Sequence, residues 1–404
     1  MADVGDSVRG LRGAAGRGRV TFVELFFDLI YVLAVTQLTH LLLTHLTPLG
    51  VVQTLLLLLA LWWAWVDTSW VTNWFDPNQL GVRLMLVGLM LLSLILSASL
   101  PEAYGKRGIW VAGAYAAIQV GRSVFVLLSL SRPGADESAE QKRQRLGLRV
   151  NFQRLLAWKA VTSALWVAGG LSHGGTRLVL WAVAVVIEYF AAMSGFWIPR
   201  VGRSTPSDWP ISGRHLAERG QLFILIALGE SILITGSVFG DRPAGAPHLF
   251  AFVVSFLGSV ALWWLYFDRS AEAASEVIDR SEDPGRIGRS AYTYFQLPMV
   301  AGIIVEAVGD ELVIAHPDGH TGTATIVTVL GGPALFLAGH ALFKHSVFGG
   351  VSKPRLVAVG VLAALVPVGP VVSPVVLAVL ATLVVAGVGV WDATLLRHRA
   401  PATT

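Results

Sequence analysis

The chain has no cysteine in its 404 residues. Disulfides, thiolate nucleophiles and cysteine metal sites are therefore excluded. Charge is scarce as well: Asp, Glu, Lys and Arg together make 14% of the chain, against roughly 25% in a soluble domain. No Gly-x-x-x-x-Gly-Lys-Ser/Thr phosphate loop occurs, which argues against ATP-driven work by this chain. Neither His-Glu-x-x-His nor Gly-x-Ser-x-Gly is present, and the polar stretches are too short to fold a separate catalytic domain. The sequence is not that of an enzyme and calls for no cofactor and no metal.

What remains is apolar. Hydrophobic residues make 54% of the chain, and the mean hydropathy is +0.65. A water-soluble fold has too little interior to hide that much apolar sequence, so the chain reads as an integral membrane protein. The basic balance, with a net charge of +4, is explained by loop residues that orient membrane proteins, and nucleic acid is not expected as a partner.

A spanning helix needs roughly 20 mostly apolar residues. Such runs lie at about 22–46, 48–72, 81–103, 108–131, 151–172, 175–199, 215–239, 246–270, 289–313, 321–346, 354–372 and 373–396. The last two meet at a turn suggested by Pro367, Pro370 and Pro374, and a single broken element there would leave eleven spans. The polar start, 1–18, is not a signal peptide, and the first apolar run reads as an uncleaved helix. Lys and Arg crowd one side: Arg9, Arg12, Arg17 and Arg19 in the tail, then Arg132, Lys142, Arg143, Arg145, Arg149, Arg200, Arg203, Arg214, Arg280, Lys344 and Lys353 in later loops. The other side holds Lys106, Arg107, Arg177 and Arg242. Both termini are thus expected in the cytoplasm. The 132–151 loop is expected to end in an amphipathic segment, and the 271–289 loop to form a short surface helix.

One pattern recurs. Leu61-Trp62-Trp63-Ala64-Trp65-Val66-Asp67 closes the second run, and Leu262-Trp263-Trp264-Leu265-Tyr266-Phe267-Asp268 closes the eighth. Two converged interfacial aromatic belts would explain it, but a duplication explains the matching positions better. The expected fold is an all-α polytopic membrane protein of about twelve transmembrane helices in two parallel six-helix repeats. Residues 1–21 form a cytoplasmic tail, 22–200 the first repeat, 201–214 a linker, 215–396 the second repeat and 397–404 a second cytoplasmic tail.

Ionisable residues inside spans are costly and often functional. Glu24 and Asp28, four apart, share one helix face. His215, Glu218 and Arg219 open the seventh span, and Glu230-Ser231 lie near its middle, where Gly229 would admit a close helix. Arg122 and Glu188 lie at mid-depth, so Arg122 is expected to pair with Glu188 or Glu230. Either pairing can be purely structural. His340 follows Gly339 as Arg122 follows Gly121. Asp67 and Asp268 lie near the inner surface, Lys159 in the fifth span and Glu306 towards an outer end. Glu24, Asp28, Glu218, Glu230, Ser231, Arg122 and Glu188 are the candidate substrate- or ion-binding residues, with His215, Arg219, His340, Asp67 and Asp268 behind them. Glu24, Asp28, Glu218 and Glu230 are expected to floor an inward-opening cavity between spans 1 and 7.

The strings Glu24-Leu25-Phe26-Phe27-Asp28-Leu29 with Ala34-Val35-Thr36-Gln37-Leu38-Thr39-His40, and His215-Leu216-Ala217-Glu218-Arg219 with Leu228-Gly229-Glu230-Ser231, resemble the bacterial low temperature requirement protein A family over essentially the whole chain. The resemblance implies a polytopic inner-membrane protein linked by name to growth in the cold. It implies no agreed chemistry. A looser resemblance is to the endolysosomal potassium channels, whose first helix carries Phe-Ser-Asp; Phe27-Asp28 is similar but lacks the Ser, and the seventh span has no Phe-Asp. The preferred reading is a secondary transporter or permease of the bacterial plasma membrane, surrounded by lipid and moving a proton or cation with a small polar solute. Its rivals are an ion channel lined by span 1, and a membrane scaffold or sensor whose charges only hold the bundle together.

Overall fold

The computed structural model describes residues 20–132, 137–205, 208–209, 211–241, 245–268 and 270–397. Arg9, Arg12, Arg17, Arg19 and Arg242, which entered the charge count, lie outside the described residues. The described residues contain no strand, and their isolated bridges include one between Ile198 and Gly202.

The helices are α1 (Phe22–Thr44), α2 (Pro48–Trp74), α3 (Leu80–Ser99), α4 (Gly108–Leu130), α5 (Ala139–Leu171), α6 (Gly174–Met193), α7 (Gly213–Gly240), α8 (Ala246–Phe267), α9 (Ser270–Asp279), α10 (Pro284–Ile287), α11 (Leu297–Ala315), α12 (Thr323–Phe348), α13 (Lys353–Leu365) and α14 (Pro374–Arg397). A π-helical stretch, Gly288–Phe295, leads into α11, and a 3-10 stretch, Val366–Val371, follows α13. Among the described residues, ten helical segments are long and apolar enough to cross a bilayer. Two long helices fall outside that standard: α5, which opens with a charged stretch, and α11, which carries Glu306, Asp310 and Glu311.

Local chemistry sets the boundaries. Thr47 caps α2, its Oγ1 accepting from Gly50 N at 3.1 Å, with Pro48 in the first turn. Ser138 and Gln141 form a reciprocal capping box on α5. That cap starts α5 early, so the charged segment expected before the fifth span is its first three turns. The α12 helix ends at Gly349, whose φ of 73° is left-handed. The proline-rich segment turns the chain between α13 and α14, and both count among the ten bilayer-length segments. The 271–289 loop forms α9, with Ala271, Ala274 and Ile278 on its buried face.

The chain divides into two compact units. The first comprises 1–41, 47–219 and 281–286; the second comprises 42–46, 220–280 and 287–404. In the first unit, α4 packs on α3 and α5, α5 on α6, and α2 on both α4 and α6. In the second, α12 packs on α11 and α13, α13 on α14, and α8 on both α12 and α14.

In a bilayer, helices associate through close packing and polar contacts rather than by burying apolar area from water. Both devices appear here. In the first unit, Arg177 is 2% exposed. Its guanidinium donates to the carbonyls of Ala103 (2.9 Å) and Gly105 (2.7 Å) after α3, and of Ser172 (2.7 Å) after α5. One side chain thereby ties two helix turns whose carbonyls have no intrahelical donor. Tyr104, Trp181, Trp166 and Tyr115 stack in sequence with centroids 4.7–5.4 Å apart. In the second unit, α11 and α12 touch backbone to backbone. A Cβ on Gly332 would lie 2.6 Å from Glu306 N, and one on Gly302 would lie 2.6 Å from Phe336 N. Gly229, expected to admit a close helix, has open space where its Cβ would be. Close approach is assigned instead to glycines of α11 and α12.

Candidate functional site

Two buried polar clusters sit in the first unit, joined through α2. The first begins at the start of α1. Glu24 lies in that helix's first turn, and its Oε2 accepts from Thr21 N at 2.8 Å and Thr21 Oγ1 at 2.9 Å. A carboxylate is favoured where free N–H groups collect. Its Oε1 accepts from Arg219 Nη1 at 3.3 Å and lies 2.8 Å from His215 Nε2. One turn on, Asp28 Oδ1 accepts from Trp65 Nε1 at 2.7 Å and Arg219 Nη2 at 2.6 Å. Asp28 Oδ2 is buried without a hydrogen bond. Arg219 also reaches Thr72 Oγ1 at 3.2 Å and stands over the rings of Phe27 and Trp65.

Asn73 sets the state of His215. Its Oδ1 accepts from Ser212 N at 2.7 Å, so its Nδ2 must donate, to Ser212 O at 2.9 Å and to His215 Nδ1 at 3.2 Å. His215 Nδ1 is therefore an acceptor and Nε2 carries the proton given to Glu24, which is the neutral imidazole. Glu24 and Asp28 thus both meet the guanidinium of Arg219. Glu218 is half-buried beside them and its Oε2 accepts from Val20 N at 3.2 Å.

The second cluster lies between α2, α4, α5 and α6. Arg122 is expected from sequence to meet Glu188 or Glu230; its carboxylate is Asp67, with Nη2 2.9 Å from Oδ2. Arg122 Nη1 donates to Ala64 O at 3.1 Å and Thr68 Oγ1 at 3.0 Å, and Nη2 also meets Gln119 Oε1. The reason is geometric: Lys159, on α5, comes down between the two acids, 2.8 Å from Asp67 and 3.9 Å from Glu188. Glu188 then accepts from Tyr115 OH at 2.5 Å and Thr162 Oγ1 at 2.9 Å. Two cations and two carboxylates cancel. Asp67 is 12% exposed rather than solvated.

The remaining candidates belong to the second unit. Glu230 is buried, as is Ser231, whose Oγ lies 3.3 Å from that of Ser259. His340 is wholly buried among Tyr266, Phe336 and Phe343, and its Nδ1 accepts from Arg355 Nε at 3.3 Å. Arg355 Nη2 in turn lies 2.9 Å from Asp392 Oδ2. Asp268 is exposed, unlike its sequence counterpart Asp67. The aromatic signatures differ likewise: Trp62 and Trp63 are buried, while Trp263 and Trp264 are exposed, and only the third aromatic, Trp65 or Tyr266, is buried in both.

Thus Glu24, Asp28, His215 and Arg219 meet in one cluster, and Arg122 and Glu188 share a second through Lys159. Trp65, Thr72 and Asn73 were not singled out for the first cluster, nor Tyr115 and Thr162 for the second. Their polar groups sit on apolar stretches, and no local signal marks them as partners of the charges they meet.

The motif residues fall within a match to the family model for the bacterial low temperature requirement A protein, which covers residues 19–390. An uncharacterized protein of Rhizobium meliloti (strain 1021) is 36% identical over 383 residues, covering 94% of this chain and 90% of that protein. No solved structure matches the chain. The chain is a member of the bacterial low temperature requirement A protein family.

Proposed function

We propose that this protein is a secondary transporter of the bacterial plasma membrane that moves a small polar solute together with a proton or cation. The reading takes the chain as about twelve spans in two parallel six-helix repeats, with both termini cytoplasmic. In it, α5 and α11 also cross the bilayer, their charges turned inward.

One observation carries the proposal: the neighbour pairs of the first unit recur in the second, which adds α8–α11, α11–α14 and α12–α14. The α2 helix with α4 and α6, and α3 with α4, α4 with α5 and α5 with α6, correspond to α8 with α12 and α14, and to α11–α12, α12–α13 and α13–α14. A cation on the fifth helix beside an acid on the sixth recurs too, as Lys159–Glu188 and Arg355–Asp392. Bundles built from repeats are the usual frame of alternating access.

A second reading, a non-transporting scaffold, draws on a specific feature: Glu24, Asp28, Asp67 and Glu188 are all met by cations in a buried interior. The channel reading has less support, because Phe27 and Asp28 are fully buried against Arg219. Flux separates the three. Purified protein is reconstituted in liposomes with a panel of polar and cationic solutes, with and without a pH gradient. Gradient-driven accumulation supports the transporter. Gradient-blind ion conduction supports the channel, and solute content equal to that of protein-free liposomes supports the scaffold.

A further inference from the structure

Glu306 and Asp310 stand apart from every other buried acid cluster described above. They lie four residues apart on one face of α11, each 7% exposed. They line a small space of about 20 Å³ between α8, α11, α12 and α14, room for one water-sized occupant. The lining residues from α8, α12 and α14 are hydroxylic, small or aliphatic, and none is ionisable. Two carboxylates therefore face a buried cavity with no arginine, lysine or histidine in its wall.

The site is built rather than left over. Gly332 lets α12 lie against the backbone of Glu306, and Gly258 of α8 leaves room for its carboxylate: a Cβ there would be 3.0 Å from Oε1 and 3.5 Å from Thr382 Oγ1. Pro333, inside α12, removes the N–H that would otherwise bond to the Val329 carbonyl, and both residues border the space. Asp310 Oδ2 makes no hydrogen bond within the protein. Nor does Ser255 Oγ, which is 2% exposed and sits beside the Asp310 carboxyl outside bonding geometry. Hydroxyl and carboxylate oxygens around a one-atom space form the donor set of a hard, small cation.

We propose that Glu306 and Asp310, with the hydroxyls of Ser255 and Thr382, form a binding site for one small hard cation, a proton or an alkali metal ion. The site goes beyond the transport reading and does not need it: binding is measurable whether or not the protein moves a solute. Two carboxylates that cannot both stay ionised and empty in such a place must take up positive charge from solution.

The test uses the full chain in detergent. Thermal unfolding is followed at constant ionic strength in sodium, lithium, potassium or choline chloride across a pH series. In parallel, the infrared carboxylic-acid carbonyl band is titrated. If an alkali ion binds, one of the three salts raises the unfolding temperature relative to choline. Its apparent affinity then weakens about tenfold per pH unit as a competing proton takes the site. If only protons bind, the salts are equivalent and a titrating carboxylic-acid band is present. Either response should be lost in Glu306→Gln and Asp310→Asn. Should those variants fail to fold, Ser255→Ala and Thr382→Val keep both acids and should weaken the alkali response or shift the band. The proposal is overturned if wild type shows neither response, or if the variants that fold respond as wild type does. Solute flux without this binding would overturn the site alone, and binding without flux would overturn the transporter alone.

Discussion

Replacing Arg219 by Met tests the α1–α7 cluster most sharply. Methionine keeps much of the volume, so the change is chiefly loss of charge and donors. Asp28 keeps its bond from Trp65 Nε1, and Glu24 keeps His215 and Thr21. Asp28 then loses the guanidinium 2.6 Å away and Glu24 the one 3.3 Å away. Removing one partner of a buried ion pair costs about 3–5 kcal/mol. At about 2–4 °C per kcal/mol for a unit of this size, the unfolding temperature should fall by about 6–20 °C. Adding Asp28→Asn to Arg219→Met removes one stranded charge and should recover a large part of that loss. The assay is tryptophan fluorescence on heating, read for wild type, both single variants and the double variant as a cycle. A wild-type unfolding temperature in Arg219→Met, or a double variant less stable than either single one, would refute the argument that these charges compensate each other.

Asn73→Ala removes three hydrogen bonds of a buried side chain; a loss of about 1–3 kcal/mol is expected, read as a lowered unfolding temperature. Just ahead of α5, Glu137 accepts from Arg145 Nε at 2.7 Å and Nη2 at 3.0 Å, which hold its carboxyl below the ordinary range. A depressed folded-state pKa stabilises above the unfolded value, about 4.3, and that stabilisation is lost as pH falls through the folded value. The difference in unfolding temperature between wild type and Glu137→Gln should therefore be full near neutrality and shrink in acid; a constant difference would count against the pairing. Gly332→Ala drives a Cβ to 2.6 Å from the Glu306 backbone and should be strongly destabilising. Gly229→Ala meets open space and should be neutral or stabilising by up to about 1 kcal/mol, so equal effects in thermal unfolding would contradict the assignment of close packing to α11 and α12.

The helices were legible because their signals are local: an apolar run of bilayer length, Pro48 in a first turn, three prolines at the α13–α14 turn. The costly charges were legible for the same reason, since each interrupts an apolar run. Their partners were not. Arg122 was matched to acids of similar depth, but depth fixes one coordinate only. Its rotation on α4 towards α2, and the arrival of Lys159 from α5, are properties of packing. Glu306 and Asp310 were overlooked as a site because their number and spacing look like any solvated helix end. What marks them is the wall around them, supplied by three other helices. Gly229 illustrates the reverse error: a glycine permits a close approach but does not create one.

The account turns on two halves that run the same way through the bilayer, and the absence of native cysteine makes that directly measurable. Single cysteines are placed in corresponding turns and probed with a membrane-impermeant thiol reagent on intact and permeabilised cells. K106C, after α3, pairs with D318C, after α11; R132C, after α4, pairs with G350C, after α12. The account predicts that K106C and D318C both label from outside, and that R132C and G350C both label only after permeabilisation. Labelling of the two members of either pair from opposite sides would contradict it.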